Sequence, residues 1–200
     1  MDNIGSLDGS DLTGGIGASQ DFDAYAAYDV VAMDAFSTDT SMNLDAASMV
    51  LGGWNGFAGL DGVTGFTVSI FSSMDAAGAS IYGDVMAATF ETADVNSDWT
   101  GEGFTLITFN LGGYELAAGD YYIGITPNNA YGDNGQTGAA ISSIGNGAGV
   151  QANPGGGFGF GAYQETGVNY AYRLDGSAVP APGALALLGL AGLARRRRRF

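Results

Sequence analysis

Three oxygen-bearing side chains at alternate positions, Asp94, Asn96 and Asp98, form the clearest ligand-like spacing in the chain. Calcium takes six to eight oxygens, and alternation along a loop turns such oxygens to one side. The spacing follows the first half of an EF-hand loop. The match then stops, because Trp99 stands where that loop needs glycine and Thr105 where it needs a bidentate glutamate. Calcium at Asp94, Asn96 and Asp98 is the one cofactor expectation, set against a plain solvated acidic loop. A second chemistry is available to aromatic rings in or near Gly-rich turns, chiefly Trp54 and Trp99, with Tyr131, Phe158, Phe160 and Tyr163 beside them. Exposed rings next to Asn, Asp or Gln offer stacking platforms for sugars, whereas buried ones anchor loops. Paired carboxylates for glycoside hydrolysis would have to come from an acid set with only four glutamates, Glu91, Glu102, Glu115 and Glu165, and no spacing brings two of them together.

Composition excludes more than it offers. The 200 residues contain no His and no Cys, and all six cationic side chains are Arg. There is thus no imidazole base or Ser/His/Asp triad, no thiolate nucleophile or zinc–thiolate site, no disulfide and no Schiff-base lysine. No catalytic residue is nominated, and the chain reads as a non-enzyme. Five of the six arginines are Arg195 to Arg199, so residues 1–194 set 21 acidic side chains against Arg173 alone, a net of −20. A body of that sign repels nucleic acid and anionic membrane surfaces, and no nucleic-acid partner is expected.

The elements that must position these residues read as strands. Period-two alternation places Phe66, Val68 and Ile70 on one face, and Tyr121, Ile123 and Ile125 on another. It also opposes Phe104, Leu106 and Thr108 to Thr105, Ile107 and Phe109, and Val168, Tyr170, Tyr172 and Leu174 to Asn169, Ala171, Arg173 and Asp175. Weaker strand candidates are 28–36, 42–51 and 79–90. Turn signals such as Leu60-Asp61-Gly62, Ala118-Gly119-Asp120 and Asp133-Asn134-Gly135 fall between the runs. With 35 Gly, 46% hydrophobic residues and no long helical periodicity, the expected fold is all-β: an antiparallel, jelly-roll-like β-sandwich, plus a short C-terminal hydrophobic helix. The expected divisions are a flexible segment at 1–21, the sandwich at 22–176, a Pro-containing linker at 177–182 and a hydrophobic helix with a basic end at 183–200. The Gly-rich stretch 145–161 reads as a long loop.

The tail has three parts in order. Val179, Pro180, Ala181 and Pro182 form an extended segment, since proline continues neither strand nor helix. Gly183 to Ala194 is wholly apolar, with Gly183, Leu185, Leu187, Leu188, Leu190 and Leu193 as its membrane-facing candidates. These 12 residues would span about 18 Å as a helix, short of the roughly 30 Å hydrocarbon core unless arginine side chains snorkel. Arg195, Arg196, Arg197, Arg198 and Arg199 would stop transfer and hold the end in the cytoplasm.

This tail resembles the PEP-CTERM sorting signal of Gram-negative bacteria, a Val-Pro-Glu-Pro-like motif followed by an apolar helix and an Arg-rich end; here Ala181 stands in place of the glutamate. The resemblance covers roughly the last 22 residues. It implies an exosortase-type membrane protease as processing partner, transient anchoring in the inner membrane, and delivery to the cell surface or extracellular matrix in exopolysaccharide-rich biofilm. Tyr114 to Ile123 and Asn169 to Gly176 are similar to strand segments of bacterial extracellular β-sandwich modules, which implies a fold and no activity. The expectation is an exported structural or adhesive protein. The alternatives are a carbohydrate-binding module for extracellular polysaccharide, or a calcium-binding surface protein. Met1 to Gln20 contains neither a basic n-region nor an apolar h-region, so export would require a leader encoded upstream of Met1.

Overall fold

A computed structural model describes residues 1–101 and 103–180, with backbone only for Trp99 to Gly101. Its strands, in chain order, are β1 (Leu12–Ala18), β2 (Asp21–Phe22), β3 (Val31–Thr38), β4 (Met42–Trp54), β5 (Val63–Phe71), β6 (Met86–Glu91), β7 (Asn96–Gly101), β8 (Phe104–Leu116), β9 (Gly119–Asn129), β10 (Gln136–Ser142), β11 (Val150–Ala152), β12 (Tyr163–Glu165), β13 (Asn169–Tyr170) and β14 (Tyr172–Ala178). Two short helices, α1 (Met74–Ala79) and α2 (Tyr131–Asn134), interrupt them.

The strands form two sheets. One runs β1-β10-β4-β8-β7, with β13 on β10 and β14 taking over the side of β4 that β10 leaves. The other runs β12-β11-β3-β9-β5-β6, with β2 lying parallel to the end of β9. All other strand pairs are antiparallel, and the chain passes repeatedly from one sheet to the other. The all-β sandwich expected from the alternation is what forms. Leu44, Met49, Leu51, Ile107, Phe109, Tyr172 and Leu174 of the first sheet meet Phe66, Val68, Ile70, Ile123 and Ile125 of the second in the central core. In β5, β8, β9 and β14 this apolar face is the one that period two selects, because successive strand side chains point to opposite faces; in β4 a register irregularity between Leu44 and Ala46 brings Leu44 to the same face as Met49 and Leu51.

The outer faces are covered as well, which alternation does not foresee. Phe104, Leu106 and Val50 turn away from the core and are buried with Ile4, Ala140 and Ala171, against which Leu12 and Ile16 pack. On the second sheet, Val31, Met33 and Phe71 are buried with Ala77 and Ile81 from α1 and the turn after it, and with Val150 and Ala152 of β11.

Three expectations are corrected. Residues 1–21, expected as a flexible lead-in, belong to the sandwich: β1 pairs with β10, Ser19 and Gln20 are wholly buried, and Arg173 holds Asp2 at 2.8 Å. Their apolar residues are too sparse to alternate, but they are enough to cover the outer face of the first sheet. The linker expected from residue 177 starts later, because Ser177 and Ala178 pair with Asn43 and Met42, and the Val179 amide donates to the Ser41 carbonyl at 2.8 Å. Residues 79–85 are the end of α1 and a turn rather than strand, since Ser73 caps the helix by accepting from the Ala76 amide. Ala181 to Phe200, which carry the second half of the sorting motif, the apolar run and five of the six arginines, lie outside the described residues. Among the described residues no helix is long and apolar enough to cross a membrane.

Candidate functional site: an aromatic cleft at one end of the sandwich

At the end where β4, β9 and β11 finish and β3 and β10 begin, Phe22, Tyr25, Tyr28, Tyr131, Phe158 and Gln136 line a cleft of about 390 Å³. That volume falls within the range of small-molecule sites. Tyr25, Tyr28 and Tyr131 are 51%, 46% and 41% exposed, far more than the rings of the core, so this is an open surface and not an extension of the interior. Phe22, Tyr25 and Tyr131 meet edge to face, with centroids 5.6 to 6.4 Å apart. Tyr28 meets Phe158 in the same way at 5.7 Å, and Phe160 stacks behind Phe158 at 6.0 Å.

Each ring is placed by a local device. Phe22 lies on β2, whose Asp21 and Phe22 pair with Asn128 and Asn129. Its amide donates to the Asp29 carboxylate at 2.9 Å. That carboxyl is raised above its ordinary value, chiefly by burial and further by the nearby Asp21 charge, while the Phe22 amide partly opposes the rise. Tyr25 and Tyr28 bracket a 3₁₀ turn closed by the Tyr28 amide on the Tyr25 carbonyl at 2.7 Å. Tyr131 begins α2, which ends at Gly135 with φ of 60°. The wholly buried Asn134 of α2 accepts from the Ala58 amide at 2.8 Å and so ties this turn to the loop after β4.

Phe158 comes from the Gly-rich loop, and Asn153 holds it. The Asn153 side chain is wholly buried; its Nδ2 donates to the Ala27 and Asp29 carbonyls at 2.9 and 2.7 Å, and its Oδ1 accepts from the Phe158 amide at 3.0 Å. The Gly157 amide adds a bond to the Ala27 carbonyl at 2.7 Å. A Cβ on Gly155 or Gly157 would lie 2.5 or 2.4 Å from the carbonyl oxygen of Ala26 or Ala27, so the loop can approach the turn this closely only as glycine. The low-complexity run is thus a fitted clamp, and residues 145–161 contain β11 as well as loop.

The polar group at the cleft is Gln136, whose Oε1 accepts from Asn55 Nδ2 at 2.6 Å. Trp54 lies directly across β4 and β10 from Gln136 and is half-buried. It therefore flanks the cleft without lining it. Of the rings nominated from sequence, Tyr131 and Phe158 line the cleft and Phe160 backs it. Tyr163 lies elsewhere, donating its hydroxyl to Asp75 at 3.1 Å. The Trp99 backbone is in edge strand β7, and its ring lies outside the described residues. Phe22, Tyr25 and Tyr28 were missed. Their signal was the aromatic density of 22–28, which period-two counting passes over.

The proposed calcium residues are not wrapped into a loop. Asp94 closes a 3₁₀ turn, Asn96 opens β7, and Asp98 sits at an irregularity in the β7–β8 pairing, 3.5 Å from Thr108 Oγ1. Among the described residues no three acidic side chains converge as a metal site. A second, more open groove of about 450 Å³ contains Asp75 and Asp120. Both carboxylates there already accept hydrogen bonds, from Tyr163 and from Ser37 at 2.7 Å.

No protein-family model matches the chain, and no curated protein matches it closely enough to count as a relative.

Proposed function

We propose that this protein is an exported surface or extracellular-matrix component whose sandwich acts by binding carbohydrate through the aromatic cleft. One observation carries the binding reading: five aromatic side chains and one amide converge on an open cleft, each held by backbone hydrogen bonding rather than by the central core. Sugars present C–H faces to aromatic rings and hydroxyls to amides, and rings with two side-chain torsions lose little entropy when they bind. The three-part tail supports the delivery reading, with an exosortase-type protease as processing partner and the inner membrane as transient anchor. The described end of the sandwich at Val179 and Pro180 would bring the motif close to the folded body.

The binding reading is tested by screening the chain against a glycan array and titrating the hits by calorimetry. Tyr25→Ala and Tyr131→Ala are each expected to weaken binding by about three- to tenfold. Trp54→Ala, outside the lining, is expected to have a smaller effect. Binding that survives both tyrosine substitutions would refute the cleft as the site. The delivery reading is tested separately by mass spectrometry of the mature protein from cells: a C-terminus near Pro182 supports it, and an intact arginine tail in the cytosol opposes it.

A further inference from the structure

The cleft has an electrostatic property that its lining alone does not reveal. None of the six side chains lining it is charged, yet the body around it is strongly negative. Residues 1–194 set 21 acidic side chains against Arg173, which is already paired with Asp2. Asp21, Asp23 and Asp29 adjoin ring-bearing residues in sequence, Asp133 lies two residues after Tyr131, and the Asp29 carboxylate accepts the amide hydrogen of Phe22 itself. Ring faces attract cations through their quadrupole, and the negative body around the open cleft adds to that attraction.

We infer that the preferred ligand is a glycan carrying free, protonated amino groups, whose pyranose faces stack on Tyr25, Tyr28 and Tyr131 while its ammonium groups lie against the rings. The inference rests on the carbohydrate-binding reading and narrows it to one class of sugar. Uncharged sugars would use the stacking alone, and uronate polymers would meet repulsion. N-acetylation of the same sugar removes the charge and keeps the ring, which makes it the discriminating change.

The test titrates the full-length chain in detergent, at mildly acidic pH, with a β-1,4-glucosamine hexamer, its fully N-acetylated form, cellohexaose and hexalysine. The glucosamine hexamer is expected to bind at least about tenfold more tightly than the acetylated form or cellohexaose. The preference should shrink as salt is raised, since exposed charges are screened. A Tyr25→Ala/Tyr131→Ala double variant should lose it; both rings are exposed, and an unchanged melting curve would verify the fold. Equal binding of the acetylated and free-amine sugars, still dependent on the tyrosines, would overturn the charge inference and leave carbohydrate binding standing. A preference that persists in the double variant would place the cation on the acidic surface at large, and also overturns it. Hexalysine binding as tightly as the sugar, with the same tyrosine dependence, would overturn the glycan part. No sugar responding to the tyrosines would overturn both this inference and the reading beneath it.

Discussion

Asp34 is a carboxylate with no exposure, placed between the sheets. It sits on β3 and accepts from the Tyr170 amide of β13 at 2.7 Å and from the Ala35 amide at 3.2 Å. Burial pushes its pKa from an ordinary 3.8 up to about 6, and hydrogen bonds from Tyr170, Ala35 and Asn3 only partly counter this. The folded protein therefore binds a proton more readily than the unfolded chain between about pH 4 and 6. Stability from this group is present below the unfolded value and is lost as pH rises through the folded one. Melting temperature is expected to fall from pH 4.5 to 6.5, and Asp34→Asn should flatten that slope; calorimetry across the window checks it. Asn153 offers a second test at this scale. Replacing it with alanine removes two hydrogen bonds from the Gly-rich loop to the 3₁₀ turn and one within the loop, at an expected cost of about 2–3 kcal/mol in chemical denaturation. Glycan affinity should fall with it, because Phe158 and Tyr28 would no longer be held in register.

At the scale of elements, the two outer-face covers separate this sandwich from a bare pair of sheets. The segment before β1 lays Ile4 over Val50, Phe104 and Leu106 and pins itself through Asp2 and Arg173. Deleting residues 1–11 would expose those side chains to water. Burying one large aliphatic side chain is worth about 1.5–3 kcal/mol, so the truncation is expected to destabilise by about 2–4 kcal/mol and to increase binding of a hydrophobic dye. An unchanged denaturation midpoint would show the cover to be dispensable. By contrast, the Asp2–Arg173 pair is partly solvent-exposed and contributes little by itself, so Arg173→Met should cost far less than the deletion.

At the scale of the whole molecule, a net of −20 over residues 1–194 opposes compaction through self-repulsion. Screening shortens the reach of that repulsion, with a Debye length of about 30 Å at 0.01 M falling to about 3 Å at 1 M. Melting temperature is therefore expected to rise with sodium chloride over that range. A fall would indicate that favourable surface pairs outweigh the repulsion. On the proposed reading the same field would favour a cationic ligand, because it raises the local concentration of cations around the cleft while favouring solubility.

Sequence alone determined the fold class, because burying one face of a strand imposes a period of two that Phe66 to Ile70, Tyr121 to Ile125 and Tyr170 to Leu174 display directly. It likewise determined which catalytic chemistries are absent, since those depend on residue types and not on arrangement. The tertiary structure decided the rest. Phe22, Tyr25, Tyr28, Tyr131 and Phe158 are spread over more than half the chain, and only the return of β2, β9 and β11 to one end of the sandwich brings them together. The docking of residues 1–21 onto the sandwich and the role of the glycine run also depended on contacts distant in sequence. No local periodicity encodes that Gly157 must touch the backbone of Ala27, because a close approach is a property of two segments and periodicity a property of one.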